Sequence, residues 1–130
     1  MVFGNISAAV LFVEDLNKCM LFYRDTLGLA LTFNDDVSYA FKLGHQDFVI
    51  LKISAAIEMV TEAAMGQHKG GWHNVLLCTG VDDVDAVYKD LTAKGLKFIK
   101  PPISQAWGRR TAYFADPEGN LWELWQELSS

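Results

Sequence analysis

The chain repeats itself once, and that repeat constrains the fold more than any other feature. An apolar run from Ile6 to Val13 is followed by Glu14-Asp15, a helical pattern and Leu27-Gly28-Leu29. A second apolar run from Asn74 to Val81 is followed by Asp82-Asp83, another helical pattern and Lys94-Gly95-Leu96. Asp15 and Asp83 stand 68 residues apart, and Gly28 and Gly95 stand 67 apart. Self-similarity at one fixed spacing predicts two modules of the same supersecondary type, each about 60 residues long.

Each module has the same internal grammar. Asp15 and Asp83 are of the residue type that caps a helix N-terminus, accepting hydrogen bonds from backbone N–H groups with no helical partner. Leu16, Cys19, Met20, Tyr23 and Leu27 then fall on one helical face, as do Val84, Val87, Tyr88 and Leu91. Gly28 and Gly95 are placed to end the helices in the left-handed conformation. Short alternating runs follow: Leu29–Asn34, Ser38–Leu43 and Asp47–Ile53 in the first module, Lys97–Ile99, Thr111–Ala115 and Leu121–Gln126 in the second. Asp116-Pro117-Glu118-Gly119-Asn120 reads as the turn between the last two. Ile57–Met65 reads as a short helix and Gly66–Gly71 as a linker. The expected fold is therefore α+β, strand–helix–three strands, twice. Module one spans about residues 4–60, the linker region 61–71 and module two about 72–128 of a single domain.

Composition narrows the function classes. The 130 residues carry a net charge of −5 with no cluster of Lys and Arg, which argues against nucleic-acid partners and anionic membranes. No apolar run is long enough to span a bilayer, and Met1–Asn5 lacks the basic start of a secretion signal. Cys19 and Cys78 lie inside apolar patterns and are read as reduced and packed. A cytoplasmic protein is expected.

A set of short motifs carries a resemblance: Val13-Glu14-Asp15-Leu16, Phe22-Tyr23-Arg24-Asp25, Leu27-Gly28-Leu29, Val81-Asp82-Asp83-Val84-Asp85, Lys94-Gly95, Trp107-Gly108-Arg109 and Asp116-Pro117-Glu118-Gly119-Asn120-Leu121-Trp122-Glu123-Leu124. In this order, over nearly the whole chain, they resemble the vicinal-oxygen-chelate superfamily of glyoxalase I, extradiol dioxygenases, fosfomycin-resistance enzymes and bleomycin-resistance proteins. The resemblance implies two βαβββ modules whose curved, mixed sheets surround a cavity, and a homodimer that completes the cavities.

Enzymes of that family hold a divalent ion that acts as a Lewis acid on two neighbouring substrate oxygens. By resemblance, the ligand positions fall at Ala8, at or near Leu51, at Leu76 and at Glu123. Three of these are apolar, and one carboxylate does not hold a catalytic ion. His73 is the complication. It lies three residues before Leu76, an odd step that turns a strand side chain to the opposite face. A bulge near Thr79-Gly80 would restore it and give a pair, His73 and Glu123. His45 and His68 fall in predicted loops.

With no metal expected, the cavity reads as a binding site. Glu123 alternates with Leu121 and Trp125 on one strand face, with Trp122 and Leu124 on the other. A carboxylate there is expected either to pair with Arg109 or Arg110 or to meet a cationic or hydrogen-donating ligand. Trp107 is placed by the resemblance in a loop over the cavity mouth, where its ring stacks on a flat ligand, or else it closes the core under that loop. Tyr113, Phe12, Tyr39, Phe41 and Leu51 are expected as further lining, and Phe33 and Trp72 add aromatic surface.

The favoured expectation is a protein that sequesters a hydrophobic or aromatic small molecule, as in antibiotic resistance, without a catalytic metal. The first alternative is a lyase, isomerase or transferase of the glyoxalase I type, or a dioxygenase-like metalloenzyme, using Zn, Ni, Mn or Fe at His73, Glu123 and a third ligand that the sequence does not identify. The second is a metal-independent enzyme with Glu123 as general base.

Overall fold

A computed structural model of the chain describes residues 4–66 and 75–129. Trp72, His68 and His73 lie outside the described residues. The chain divides into two compact units, 1–70 and 71–130.

In the first unit, strand β1 (Ala8–Val13) leads into helix α1 (Leu16–Leu21), then β2 (Ala30–Asn34), β3 (Ser38–Leu43) and β4 (Gln46–Lys52). The sheet order is β1-β4-β3-β2, with β1 parallel to β4 and the other pairs antiparallel. Asp15 caps α1, its carboxylate accepting from the Lys18 N–H at 3.0 Å. The helix does not stop at Leu21. It widens into a π-helical turn over Phe22–Thr26, in which the Leu27 N–H donates to the Phe22 carbonyl at 3.0 Å. Gly28 then takes φ +71°, which only glycine adopts without strain. The predicted helical face is what the sheet covers: Cys19, Met20 and Tyr23 are buried. Tyr23 meets Phe48 at 4.7 Å and Phe41 at 6.0 Å between ring centroids, an aromatic core of edge-on and tilted pairs.

The second unit repeats the plan with β5 (Leu76–Gly80), α4 (Val84–Ala93), β6 (Lys100–Ser104), β7 (Arg109–Ala115) and β8 (Leu121–Glu127), in the order β5-β8-β7-β6. Asp83 caps α4 through the Ala86 N–H at 3.1 Å, and the Gln126 side chain accepts from the Val84 N–H at 2.8 Å, tying the helix start to β8. Under α4 a chain of rings runs Tyr88, Phe98, Phe114, Trp122, with centroids 4.7, 5.6 and 6.1 Å apart. In the β7–β8 turn the buried Asp116 carboxylate accepts from the N–H groups of Glu118 and Asn120 and from the Asn120 amide, each at 2.9 Å.

Two elements depart from the sequence reading. The strand expected at Lys97–Ile99 forms at Lys100–Ser104, through Pro101-Pro102. Proline cannot donate to a ladder, but β6 is the edge strand, and its register shifts between Lys100 and Ile103 to pass the two prolines. The helix expected over Ile57–Met65 is two helices, α2 (Ile53–Val60) and α3 (Glu62–Met65). They are separated at Thr61, which takes φ +80° and caps α3 through the Ala64 N–H at 3.2 Å. No helix among the described residues is long and apolar enough to cross a membrane.

Candidate functional site

The face of the second sheet turned away from α4 collects the chemistry. Pairing places Cys78 opposite Glu123, Glu123 opposite Tyr113, and Tyr113 opposite Lys100, so one line of side chains crosses all four strands. The neighbouring line is Gly80, Trp125 and Thr111. The alternation read from β8 holds, with Trp122 and Leu124 buried and Glu123 and Trp125 on the open side.

Glu123 does not pair with an arginine. Its Oε1 accepts from the Tyr113 hydroxyl at 2.6 Å, a charge-assisted bond. That bond, followed by desolvation, raises the Tyr113 phenol above its ordinary value. Burial first, and then a hydrogen bond to Glu123, raise the Cys78 thiol. Cys78 is exposed rather than packed, whereas Cys19 is fully buried, and neither is in a disulfide. A thiol held protonated is a weak nucleophile and a poor metal ligand.

Both arginines are engaged elsewhere. Arg110 binds Asp85 through two hydrogen bonds of 2.8 and 2.9 Å, which hold the Asp85 carboxyl below its ordinary range. Arg109 pairs with Glu127 at 3.1 Å, its guanidinium carbon lying 3.8 Å from the centroid of the Trp125 ring. That indole also lies close to Gly80, where an added Cβ would come to 2.8 Å from the ring. The structure thus brings Arg109 to the site through Trp125, not through Glu123.

Trp107 sits at the tip of the β6–β7 turn, where Gly108 has φ +90° and the Gln105 N–H donates to the Arg109 carbonyl at 2.7 Å. Its side chain is 65% exposed, so it does not close a core. Among the described residues of this unit, hollows open beside β8 and beside β6. One of about 450 Å³ is lined by Gly80, Val81, Asp82, Trp125, Gln126 and Glu127. The other, about 220 Å³, is lined by Lys100, Pro101, Ile103, Gln105, Thr111 and Tyr113, and so adjoins the Tyr113–Glu123 pair. Sequence reasoning missed Lys100, because two prolines disguised the strand that presents it, and it did not single out Gln105 after that strand or Thr111 on β7.

In the first unit the expected lining splits between two faces. Phe12 and Leu51 are register partners on one face, opposite Ser38. Phe41 alternates to the other and is fully buried against Tyr23 and Phe48, so it is core and not lining. Tyr39, two residues before Phe41, shares that face.

The family's metal positions are testable on register. Ala8 is paired with Asp47 and Leu76 with Leu121; the first-unit counterpart of Glu123 is Val49, which faces Val10 as Glu123 faces Cys78. Ala8, Val49, Leu51 and Leu76 offer no ligand atoms, and among the described residues no three His, Cys, Asp or Glu side chains gather as a metal set. Of the positions the resemblance singles out, only Glu123 carries a ligand atom among the described residues.

Comparison with known proteins decides the family. The model of the Glyoxalase/Bleomycin resistance protein/Dioxygenase superfamily matches residues 5–124. The chain belongs to this superfamily. Uncharacterized protein YraH of Bacillus subtilis (strain 168) is 35% identical over 121 residues, 91% of this chain and 94% of its own length. A protein of unknown function from Agrobacterium tumefaciens str. C58 is 31% identical, with 98% of each chain covered and a TM-score of 0.79. A glyoxalase/bleomycin resistance protein/dioxygenase from Nocardioides superposes with a TM-score of 0.86 at 23% identity, covering 100% of this chain and 87% of its own. That last likeness establishes the shared fold.

Proposed function

We propose that this superfamily member captures a small molecule with an aromatic or apolar body and a cationic or hydrogen-donating group, and holds it without transforming it. The carrying observation is the Tyr113–Glu123 pair: a carboxylate on an open sheet face, unmatched by either neighbouring arginine and backed by a phenol at 2.6 Å. The phenol orients one carboxylate oxygen and leaves the charge to be met from outside. Trp107, exposed at the turn tip, and Trp125, in contact with Arg109 and close to Gly80, supply flat apolar surface on the same unit.

The test is a ligand screen read by tryptophan fluorescence, run on the protein and on Glu123→Gln and Trp107→Phe. Aromatic amines are expected to bind, and to weaken about tenfold or more with Glu123→Gln, the loss of a charge-assisted contact. Binding unchanged by Glu123→Gln, turnover of the bound molecule, or one equivalent of divalent metal retained after desalting would each overturn the reading.

A further inference from the structure

We infer that the captured molecule is dipolar, with its cationic or N–H-bearing end at Glu123, an anionic end at Lys100, and an apolar body lying between them beside Tyr113. This rests on the reading that Glu123 and Tyr113 form the binding site.

Three observations converge on Lys100. The first is register: Lys100 pairs with Tyr113, which pairs with Glu123, so the two opposite charges stand on one line across the sheet, two strand spacings or about 10 Å apart. The second is the bulge. Lys100 and Ile103 are three residues apart, and simple alternation would turn them to opposite faces. The register shift across Pro101-Pro102 brings both into the same hollow with Thr111 and Tyr113. Bulges re-aim side chains in this way beside functional sites. The third is charge balance. In the first unit Lys42 is paired with Asp47 at 2.6 Å on the equivalent sheet, whereas Lys100 has no carboxylate within ion-pair distance among the described residues.

The hollow beside Lys100 and Tyr113, next to the Glu123 position, suits an apolar body. The hollow of about 220 Å³ exceeds the roughly 150 Å³ cavity known to hold a benzene ring. Pro101 and Ile103 give it apolar walls, and Gln105 donates to Thr111 at 2.9 Å, so the polar wall is already satisfied. Tyr113 donates its proton to Glu123 and therefore faces the ligand as an acceptor.

Calorimetry on the intact protein at low salt tests this with three matched probes: 4-(2-aminoethyl)benzoate, phenethylamine and 4-ethylbenzoate. The dipolar probe is expected to bind about tenfold tighter than either single-charge probe. Lys100→Met should reduce it to the affinity of phenethylamine, and Glu123→Gln to that of 4-ethylbenzoate. If phenethylamine binds as tightly as the dipolar probe and loses affinity with Glu123→Gln, the inference fails while the Glu123 reading stands. If none of the three binds at millimolar concentration, both fail. Circular dichroism of the two exposed-face variants separates lost affinity from lost fold.

Discussion

The two sheets share strand order and pairing sense, and β1-β4-β3 matches β5-β8-β7 in register, yet only one carries the Glu123–Tyr113 pair. Across the first sheet the central line reads Val10, Val49, Ala40; across the second it reads Cys78, Glu123, Tyr113. The next line reads Phe12, Leu51, Ser38 against Gly80, Trp125, Thr111. Backbone geometry is therefore indifferent to what stands on the open face. What both copies keep is the buried side: an aspartate cap, a helix and a cluster of rings beneath it. Duplication preserved the element that folds the module and left the outward positions free to diverge, so the site is a matter of a few side chains in one copy.

The comparison breaks first, and hardest, in the cores. Tyr23→Ala and Phe114→Ala each remove a fully buried ring and are expected to cost about 3–5 kcal/mol, measured by urea denaturation. Similar losses support equivalent cores; a loss in only one would refute the equivalence. Next comes the Gly80 position, whose first-sheet counterpart is Phe12. Gly80→Ala forces a methyl against the Trp125 ring and should cost about 1–3 kcal/mol, whereas Phe12→Ala, partly exposed, should cost less. Thermal melts of the two variants give the order.

A smaller effect sharpens the contrast between the open faces. Tyr113→Phe removes one hydrogen bond to a charged group at a partly exposed site and should cost about 1 kcal/mol, while Ala40→Ser in the first sheet has no such bond to lose. The Tyr113 phenol has a raised native pKa, so its contribution is fully present below the unfolded value of about 10 and is lost as pH rises through the native one. Urea midpoints from pH 8 to 11 should fall more steeply for the native protein than for Tyr113→Phe. The smallest effect is on Cys78. Glu123→Gln removes one of the two main influences that keep this thiol protonated, leaving desolvation, so its reaction with a thiol reagent at pH 8 should quicken modestly. Buried Cys19 serves as the unreactive control.

The modules, both aspartate caps and the glycine stops were legible because each is a local signal repeated once. The alternation of β8 was legible too, and it placed Glu123 and Trp125 on the open face before any coordinates. The partners of Glu123 were not. Arg109 and Arg110 are nearest in sequence among the cations, but their long side chains reach Glu127 and Asp85 along directions set by register, and a tyrosine on the adjacent strand takes the place expected for an arginine. Phe41 was misread because an aromatic residue on a strand carries no mark of which face it takes. Lys100 was hidden by two prolines, which argue against a strand everywhere except at an edge.

Those prolines have one more consequence. An edge strand offers unpaired backbone groups to any extended chain that meets it, which is how sheets extend into aggregates. Over Pro101 and Pro102 two successive N–H donors are missing from β6, and a lysine flanks the gap. This border of the second sheet cannot zip continuously onto another strand, so the same dipeptide that sets Lys100 and Ile103 beside one hollow also guards the molecule against growing fibrils from that side.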